Sequence, residues 1–359
     1  MLRQAFFAAL VMGSPVMAEI QEVRIGVLNE LTGPVAGLGA VCSRGIEIAM
    51  RQHVTEGKAG GAAIRIVMGD EKDDAKVAVS EFRRMIEAEG IQAVVAVRSR
   101  GAMPISPIAE RAGIPLMGIV GATDFLSTNR YAIRAFVSPA QEAEVAVSTA
   151  RRLGDKRAAI IAVEDEYPLA LADHIEKKFA EAGGIILSRH DLSPGETDYS
   201  TVATKIRALN PDVVFVYSMM KTGLLVRKLR ELGVDAQIIS QYWIQQPEQM
   251  QAAGAEALEN LVFVEVNSNQ PKLKQAYAET FPGQPYNPAA YLCYSAVAAL
   301  IEAVKLPGAT RDAHSLREAF VGIARVPLLD GDLLFKNREA QFELVPRRFQ
   351  GVKVVDLHP

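Results

Sequence analysis

The chain has 359 residues, a formal net charge of −3, 49% hydrophobic and 23% charged residues: an ordinary globular composition with material for two hydrophobic cores. That charge balance gives no electrostatic reason to expect nucleic acid or an anionic membrane surface as partner. The length exceeds what one core usually serves, so two domains are expected.

Residues 1–18 differ from the rest. Arg3 supplies a positive n-region, Ala5 to Met12 an apolar core, and Val16-Met17-Ala18 the small-residue pattern of a cleavage site. A cleaved signal peptide is expected, with cleavage after Ala18 and a mature chain beginning at Glu19. No other apolar run approaches the roughly 18 residues of a membrane span, so the exported product is expected to be soluble. The first cysteine is Cys42, which argues against an acyl anchor at the mature N-terminus.

From Val23 onward strand and helix alternate. Val23 to Leu28 reads as a strand, followed by a loop with Leu31-Thr32-Gly33-Pro34 and Gly37-Leu38-Gly39, then an amphipathic helix from about Ala40 to His53. Ile64 to Gly69 is the next strand, and it runs into the acidic turn Asp70-Glu71-Lys72-Asp73-Asp74. The stretch Ala93 to Asp124 organises the chain. It holds a buried strand (Ala93 to Val97), a polar turn (Arg98, Ser99, Arg100, Gly101), a helix ending near Gly113, a second strand (Ile114 to Ile119) and a small-residue turn (Gly121, Ala122, Thr123). Short apolar runs separated by a helix mark a parallel βαβ unit, whose two turns emerge at neighbouring strand ends. In an open parallel sheet that edge binds ligands, because backbone N–H groups and helix N-termini converge there.

A second set of elements begins near Gln141 and continues through strands at Ala158 to Val163, Ile185 to Leu192, Val213 to Tyr217 and Gln237 to Ser240. Residues 23–136 and 141–264 therefore read as two similar doubly wound α/β lobes. The remainder is helical (Lys272 to Thr280, Ala289 to Val304, Ser315 to Phe320) and then strand-like (Asp332 to Phe335, Ala340 to Pro346, Val352 to Asp356), with each tail returning to complete one lobe.

Enzyme chemistry has little support. The five histidines fall in no zinc spacing, and no Gly-x-Ser-x-Gly elbow is present. Gly37-x-Gly39-x-x-Cys42 lacks the third glycine of a dinucleotide fingerprint and lies too far from its strand. No catalytic residue, metal or cofactor is expected. Arg100 and the helix entry at Ser99 offer charge and N–H groups for a carboxylate, and Thr123 adds a hydroxyl at the next strand end.

The ordered motifs resemble one family. Ile25-Gly26-Val27-Leu28 with Leu31-Thr32-Gly33-Pro34, Arg44-Gly45, Asp70-Glu71-Lys72-Asp73-Asp74, Ser99-Arg100-Gly101, Pro107-Ile108-Ala109-Glu110, Ala122-Thr123, Asp198-Tyr199 and Asn210-Pro211-Asp212 are similar, in order, to the periplasmic substrate-binding proteins of ABC importers. The class is the leucine/isoleucine/valine-binding one, with the type I fold. The resemblance implies two α/β lobes joined by three crossover strands near Val137-Ser138, Val264-Glu265 and Val326-Pro327. Residues 19–137 plus 265–326 would form the first ligand-binding lobe, and 138–264 plus 327–359 the second. It also implies a periplasmic monomer that closes on a small-molecule ligand and hands it to a membrane permease. That fold would put Cys42 and Cys293 in one lobe. Export permits a disulfide, and two buried thiols on helices is the preferred reading.

By the same resemblance Ser99 and Gly101 match the carboxylate-binding turn, with Arg100 replacing a small residue. Ala122 and Thr123 match the neighbouring turn. Tyr167 matches a tyrosine that closes over the ligand, followed by Pro168 where glycine is usual. At Ser240-Gln241-Tyr242-Trp243, Tyr242 replaces the acid that amino-acid binders pair with the α-ammonium, and Trp243 adds aromatic surface. A branched-chain amino acid or related carboxylate is the expected cargo, with an aromatic or other non-amino acid as the alternative. Glu164, Asp165, Glu166 and Glu265 are the acids that would supply the missing charge from another direction. A ligand-sensing domain of the same fold and a nucleotide-binding enzyme are the competing classes.

Overall fold

Two sheets, each parallel at its centre, account for the alternation of strand and helix. The computed structural model describes residues 20–33, 35–163, 166–193, 195–218, 220–267 and 269–357. The expected signal segment with its cleavage point, and the acids Glu164 and Asp165, lie outside the described residues.

The strands of the first half are β1 (Glu22–Asn29), β2 (Lys58–Ala59), β3 (Ala62–Asp70), β4 (Ala93–Val97), β5 (Leu116–Ile119) and β6 (Ala132–Arg134). Those of the second are β7 (Arg157–Val163), β8 (Ile185–Leu192), β9 (Val213–Tyr217), β10 (Gln237–Gln241) and β11 (Val262–Val266). The tail supplies β12 (Arg325–Leu328), β13 (Gly331–Lys336), β14 (Glu339–Gln341), β15 (Leu344–Gln350) and β16 (Lys353–Asp356). The helices are α1 (Ala36–His53), α2 (Ala75–Arg84), α3 (Ser99–Ala112), α4 (Pro139–Leu153), α5 (Glu166–Glu181), α6 (Ser200–Leu209), α7 (Thr222–Glu231), α8 (Pro247–Ala253), α9 (Ala255–Leu258), α10 (Pro271–Thr280), α11 (Ala289–Val304) and α12 (Ala313–Val321). Among them none is long and apolar enough to cross a membrane.

The first sheet runs β12-β13-β14-β6-β5-β4-β1-β3-β2, and the second β16-β15-β11-β10-β9-β7-β8. At the centre of the first, β1 pairs in parallel with β3 and β4, and β4 with β5, so that Val97 lies opposite Ile119. All five residues of β4 are buried, as expected of a strand covered on both faces. Pairing in register brings the turns after β4 and β5 side by side.

The tail differs from expectation. β12, β13 and β14 form an antiparallel meander that docks on β6 of the first sheet, so the third crossing falls at Phe342-Glu343 rather than at Val326-Pro327. The cause is polar. Arg134 donates its N–H to the Arg338 carbonyl at 2.8 Å, and the Arg338 guanidinium binds the carbonyls of Asn129, Arg130 and Ala132 at 3.0 Å each. The single strand expected at Ala340 to Pro346 is therefore two strands in different sheets.

Cys42 and Cys293 form a disulfide, which overturns the reading of two free thiols. α1 and α11 pack so closely that a Cβ on Gly45 would stand 2.2 Å from the Ala290 carbonyl oxygen, and this approach brings the two cysteine Cα atoms to 5.3 Å. Gly39 allows a similar approach to the Glu30 carbonyl, inside α1 and not in the loop expected for it.

Candidate ligand-binding site

α3 begins where β4 ends. Its N-cap residue, Arg98, has φ +70° and ψ 149°, a conformation that side chains rarely adopt and that costs about 1–3 kcal/mol. An ion pair from Arg98 Nη1 to Asp73 Oδ1 at 2.9 Å holds it there. Ser99 Oγ accepts the Ala122 N–H at 3.1 Å, tying the turn after β4 to the turn after β5. Beneath that second turn the buried Arg134 guanidinium donates to the carbonyls of Ala122 at 2.5 Å and Thr123 at 3.3 Å. With the carbonyls drawn down, N–H groups of the turn are left to face other partners.

Opposite, α5 of the second lobe presents Tyr167. Its ring lies against Gly121, where a Cβ would stand 2.8 Å from the ring, and edge-on to Phe136 with centroids 6.1 Å apart. Its hydroxyl donates to Glu142 Oε2 at 2.5 Å. Burial pushes the Glu142 carboxyl up to about 7 against the opposing effect of that hydrogen bond. Beyond β10 a short 3₁₀ turn carries Tyr242 and Trp243, whose rings stand 5.0 Å apart.

Between these walls lies a cavity of about 350 Å³, within the range of small-molecule sites. Ser99, Arg100, Ala122, Tyr167, Tyr242 and Trp243 all line it, as do Arg98, Glu166, Phe136 and Leu292. Two of the residues singled out from sequence stand elsewhere. Gly101 is buried behind the wall, where a Cβ would come within 1.7 Å of Glu71 Oε2. Thr123 is engaged by Glu166, which accepts from its N–H at 2.6 Å and its hydroxyl at 3.1 Å. Arg100 is exposed and donates to the Asp73 carbonyl at 3.2 Å. Glu265 is committed to Gln245 at 2.7 Å and Arg347 at 2.9 Å.

Two further acids stand behind α3. Glu30 and Glu71 are fully buried against each other at the ends of β1 and β3, with Arg98 Nε 4.0 Å from Glu30 Oε1. Burial raises both carboxyls, Glu30 to about 7 and Glu71 to about 8; the negative charges of Glu30 and Asp73 add to the rise at Glu71, and the Arg98 guanidinium opposes it. Asp70, by contrast, is only half-buried and held low: its small desolvation is outweighed by the Thr32 hydroxyl and the N–H groups of Thr32, Lys72 and Leu31. Those bonds consume the carboxylate that a ribose hydroxyl would need.

Sequence reasoning missed Arg134 and Glu142, and placed Arg98 in the polar turn without giving it a role. Arg134 is a charged residue inside the otherwise apolar run Tyr131 to Val137, a pattern that could have marked it as buried and partnered, whereas Glu142 stands beside Gln141 and Glu144 with no such mark. Arg98 had no such signal, since its strained backbone is invisible in sequence. The cavity thus has a first-lobe wall of guanidinium, hydroxyl and helix N-terminus, and a second-lobe wall of aromatic rings. Such a site suits a small anion with an apolar body.

A pair of α/β lobes around one such cavity is the architecture of a solute-binding protein. The chain belongs to the periplasmic binding protein family, whose model matches residues 22–344. It is similar to the Leu/Ile/Val-binding protein BraC3 of Rhizobium johnstonii, 28% identical over 327 residues that cover 88% of this chain and 87% of the relative. Its fold matches the leucine binding protein LivK of Thermotoga maritima, with a TM-score of 0.79, 24% identity, and coverage of 94% of this chain and 98% of that one. A solute binding protein of an ABC transporter from Rhodopseudomonas palustris, solved with 3,4-dihydroxybenzoic acid, matches with a TM-score of 0.75, 18% identity, and coverage of 91% and 93%. These relatives are binding proteins, not enzymes.

Proposed function

We propose that this chain is the exported, periplasmic solute-binding component of an ABC importer, capturing a small organic carboxylate between its lobes and delivering it to the permease. The cargo carboxylate sits at the N-terminus of α3, held by Ser99 and Arg100, with Ala122 and Thr123 on the adjoining turn. Its body packs between Tyr167, Tyr242 and Trp243. The observation that carries this reading is the opposition of the Ser99–Arg100 helix entry to the aromatic pair at Tyr242–Trp243 across one cavity. An aromatic carboxylate without an amine fits best, because Tyr242 leaves no acid at that position and a buried unpaired ammonium costs several kcal/mol. The complex of the Rhodopseudomonas neighbour supports the same class.

A branched-chain amino acid is the second reading, favoured by the name of the 28% identical relative and by Glu166, whose carboxylate also lines the cavity. A thermal-shift screen of residues 19–359, refolded to remove any carried ligand, separates the two. Benzoate, 4-hydroxybenzoate, leucine, isoleucine and NAD form the panel. A ligand at about 100 times its dissociation constant adds roughly 2.7 kcal/mol, a shift of several degrees. Stabilisation by the benzoates but not leucine supports the first reading and the reverse supports the second. Stabilisation by NAD alone refutes both.

A further inference from the structure

Glu166 reaches across from the second lobe to the turn after β5. One of its oxygens, Oε1, takes two donors of Thr123, the N–H at 2.6 Å and the hydroxyl at 3.1 Å. The first-lobe side of this contact is rigid. The Thr123 and Ala122 carbonyls are clamped on the buried Arg134, and the Ala122 N–H is spent on Ser99. The Thr123 donors are therefore fixed in position and aimed at an anion, and the anion that holds them is a side chain of this chain. Glu166 is also the only acid among the described residues that line the cavity, beside the cations Arg98 and Arg100.

Resting on the carboxylate reading above, we propose that Glu166 is a specificity-determining residue: an internal anion that occupies the Thr123 donors and that a cargo carboxylate must displace. One N–H and one hydroxyl satisfy a single carboxylate oxygen here, and two carboxylates at the same donors would repel one another. Cargo affinity is then its intrinsic affinity reduced by the cost of removing Glu166 from Thr123. Anions that bind weakly at the α3 N-terminus are rejected, because they do not supply enough interaction to open the contact. A zwitterionic amino acid meets a different obstacle, since its ammonium is attracted to Glu166 where it stands and the exchange is not required of it.

The test measures dissociation constants of benzoate and leucine by calorimetry for the wild-type chain, Glu166→Gln and Glu166→Ala, with unfolding midpoints as a control for folding. Benzoate is expected to bind at least tenfold more tightly to Glu166→Ala, and more tightly than wild type to Glu166→Gln, with no gain for leucine. The direction is diagnostic. Misfolding, or loss of an interlobe contact that persists with cargo bound, weakens binding, whereas removal of a competitor strengthens it. Equal or weaker benzoate binding by both variants, with the wild type still binding, overturns the role of Glu166 and leaves the carboxylate reading standing. Loss of leucine binding in the variants, where the wild type binds leucine, makes Glu166 an ammonium partner and also overturns it. If neither wild type nor variants bind benzoate, the carboxylate reading fails and the inference falls with it.

Discussion

Glu71→Gln tests the buried acid pair behind α3. In the folded chain Glu71 titrates near 8 and Glu30 near 7, against an ordinary value of 4.5, with burial the largest cause for both. The folded state therefore keeps protons that the unfolded chain releases. Their stabilising contribution is complete below pH 4.5 and is lost as pH rises through 7 to 8. Each retained proton costs about 1.4 kcal/mol per pH unit across that window. Between pH 5 and pH 7 one proton thus removes about 3 kcal/mol, and coupling keeps the pair below twice that figure. At roughly 2–4 °C per kcal/mol for a unit of this size, the unfolding midpoint of the first lobe should fall by about 6–12 °C. Glu142, raised to about 7, and Asp155, raised to about 6, slope the second lobe in the same direction. Glutamine is uncharged and nearly isosteric. It also removes the like charge beside Glu30, so the variant should lose at least half of the slope and exceed the wild type at pH 8. Thermal unfolding at pH 5, 6, 7 and 8 reads this directly. A wild-type midpoint that rises from pH 5 to pH 8, or an unchanged slope in the variant, refutes the reasoning.

Gly101→Ala should destabilise by about 1–3 kcal/mol despite the better helix propensity of alanine, because its methyl would stand 1.7 Å from Glu71 Oε2; a more stable variant would place Glu71 elsewhere. Reduction of Cys42–Cys293, or replacement of both by serine, should cost about 3–5 kcal/mol, since the bond spans a sequence separation of 251; an unaltered denaturation midpoint under reductant would contradict this. Arg100→Ala should weaken binding of a carboxylate probe by about 1–3 kcal/mol with the unfolding midpoint unchanged, and unaltered affinity would remove Arg100 from the site.

The strands of the lobe centres were legible because short apolar runs leave no other use for Ala93 to Val97 or Val213 to Tyr217. The turns after β4 and β5 were legible for the same reason, which is why Ser99, Arg100 and Ala122 could be grouped around one edge before any geometry was known. The tail was not. β12 to β14 are short and half-exposed, and what assigns them to the first sheet is the guanidinium of Arg338 on backbone carbonyls, an interaction with no sequence pattern. The disulfide was hidden by its separation in sequence, since two cysteines on two helices pair only if the helices touch. Gly101 was misplaced by one helical turn's geometry: it belongs to the motif but faces Glu71 behind the wall. The pairing of Thr123 with Glu166 could not be foreseen, because it depends on how the lobes meet.

The most direct measurement uses Trp243, the single tryptophan of the chain, which lines the cavity beside Tyr242. Its emission, followed while benzoate is titrated into purified residues 19–359, reports occupancy of the site itself. The account predicts a saturable change with one ligand per chain that is weakened in Arg100→Ala. Emission that stays unchanged with benzoate, 4-hydroxybenzoate and leucine alike, up to millimolar concentration, would contradict the assignment of this cleft as a carboxylate-binding site.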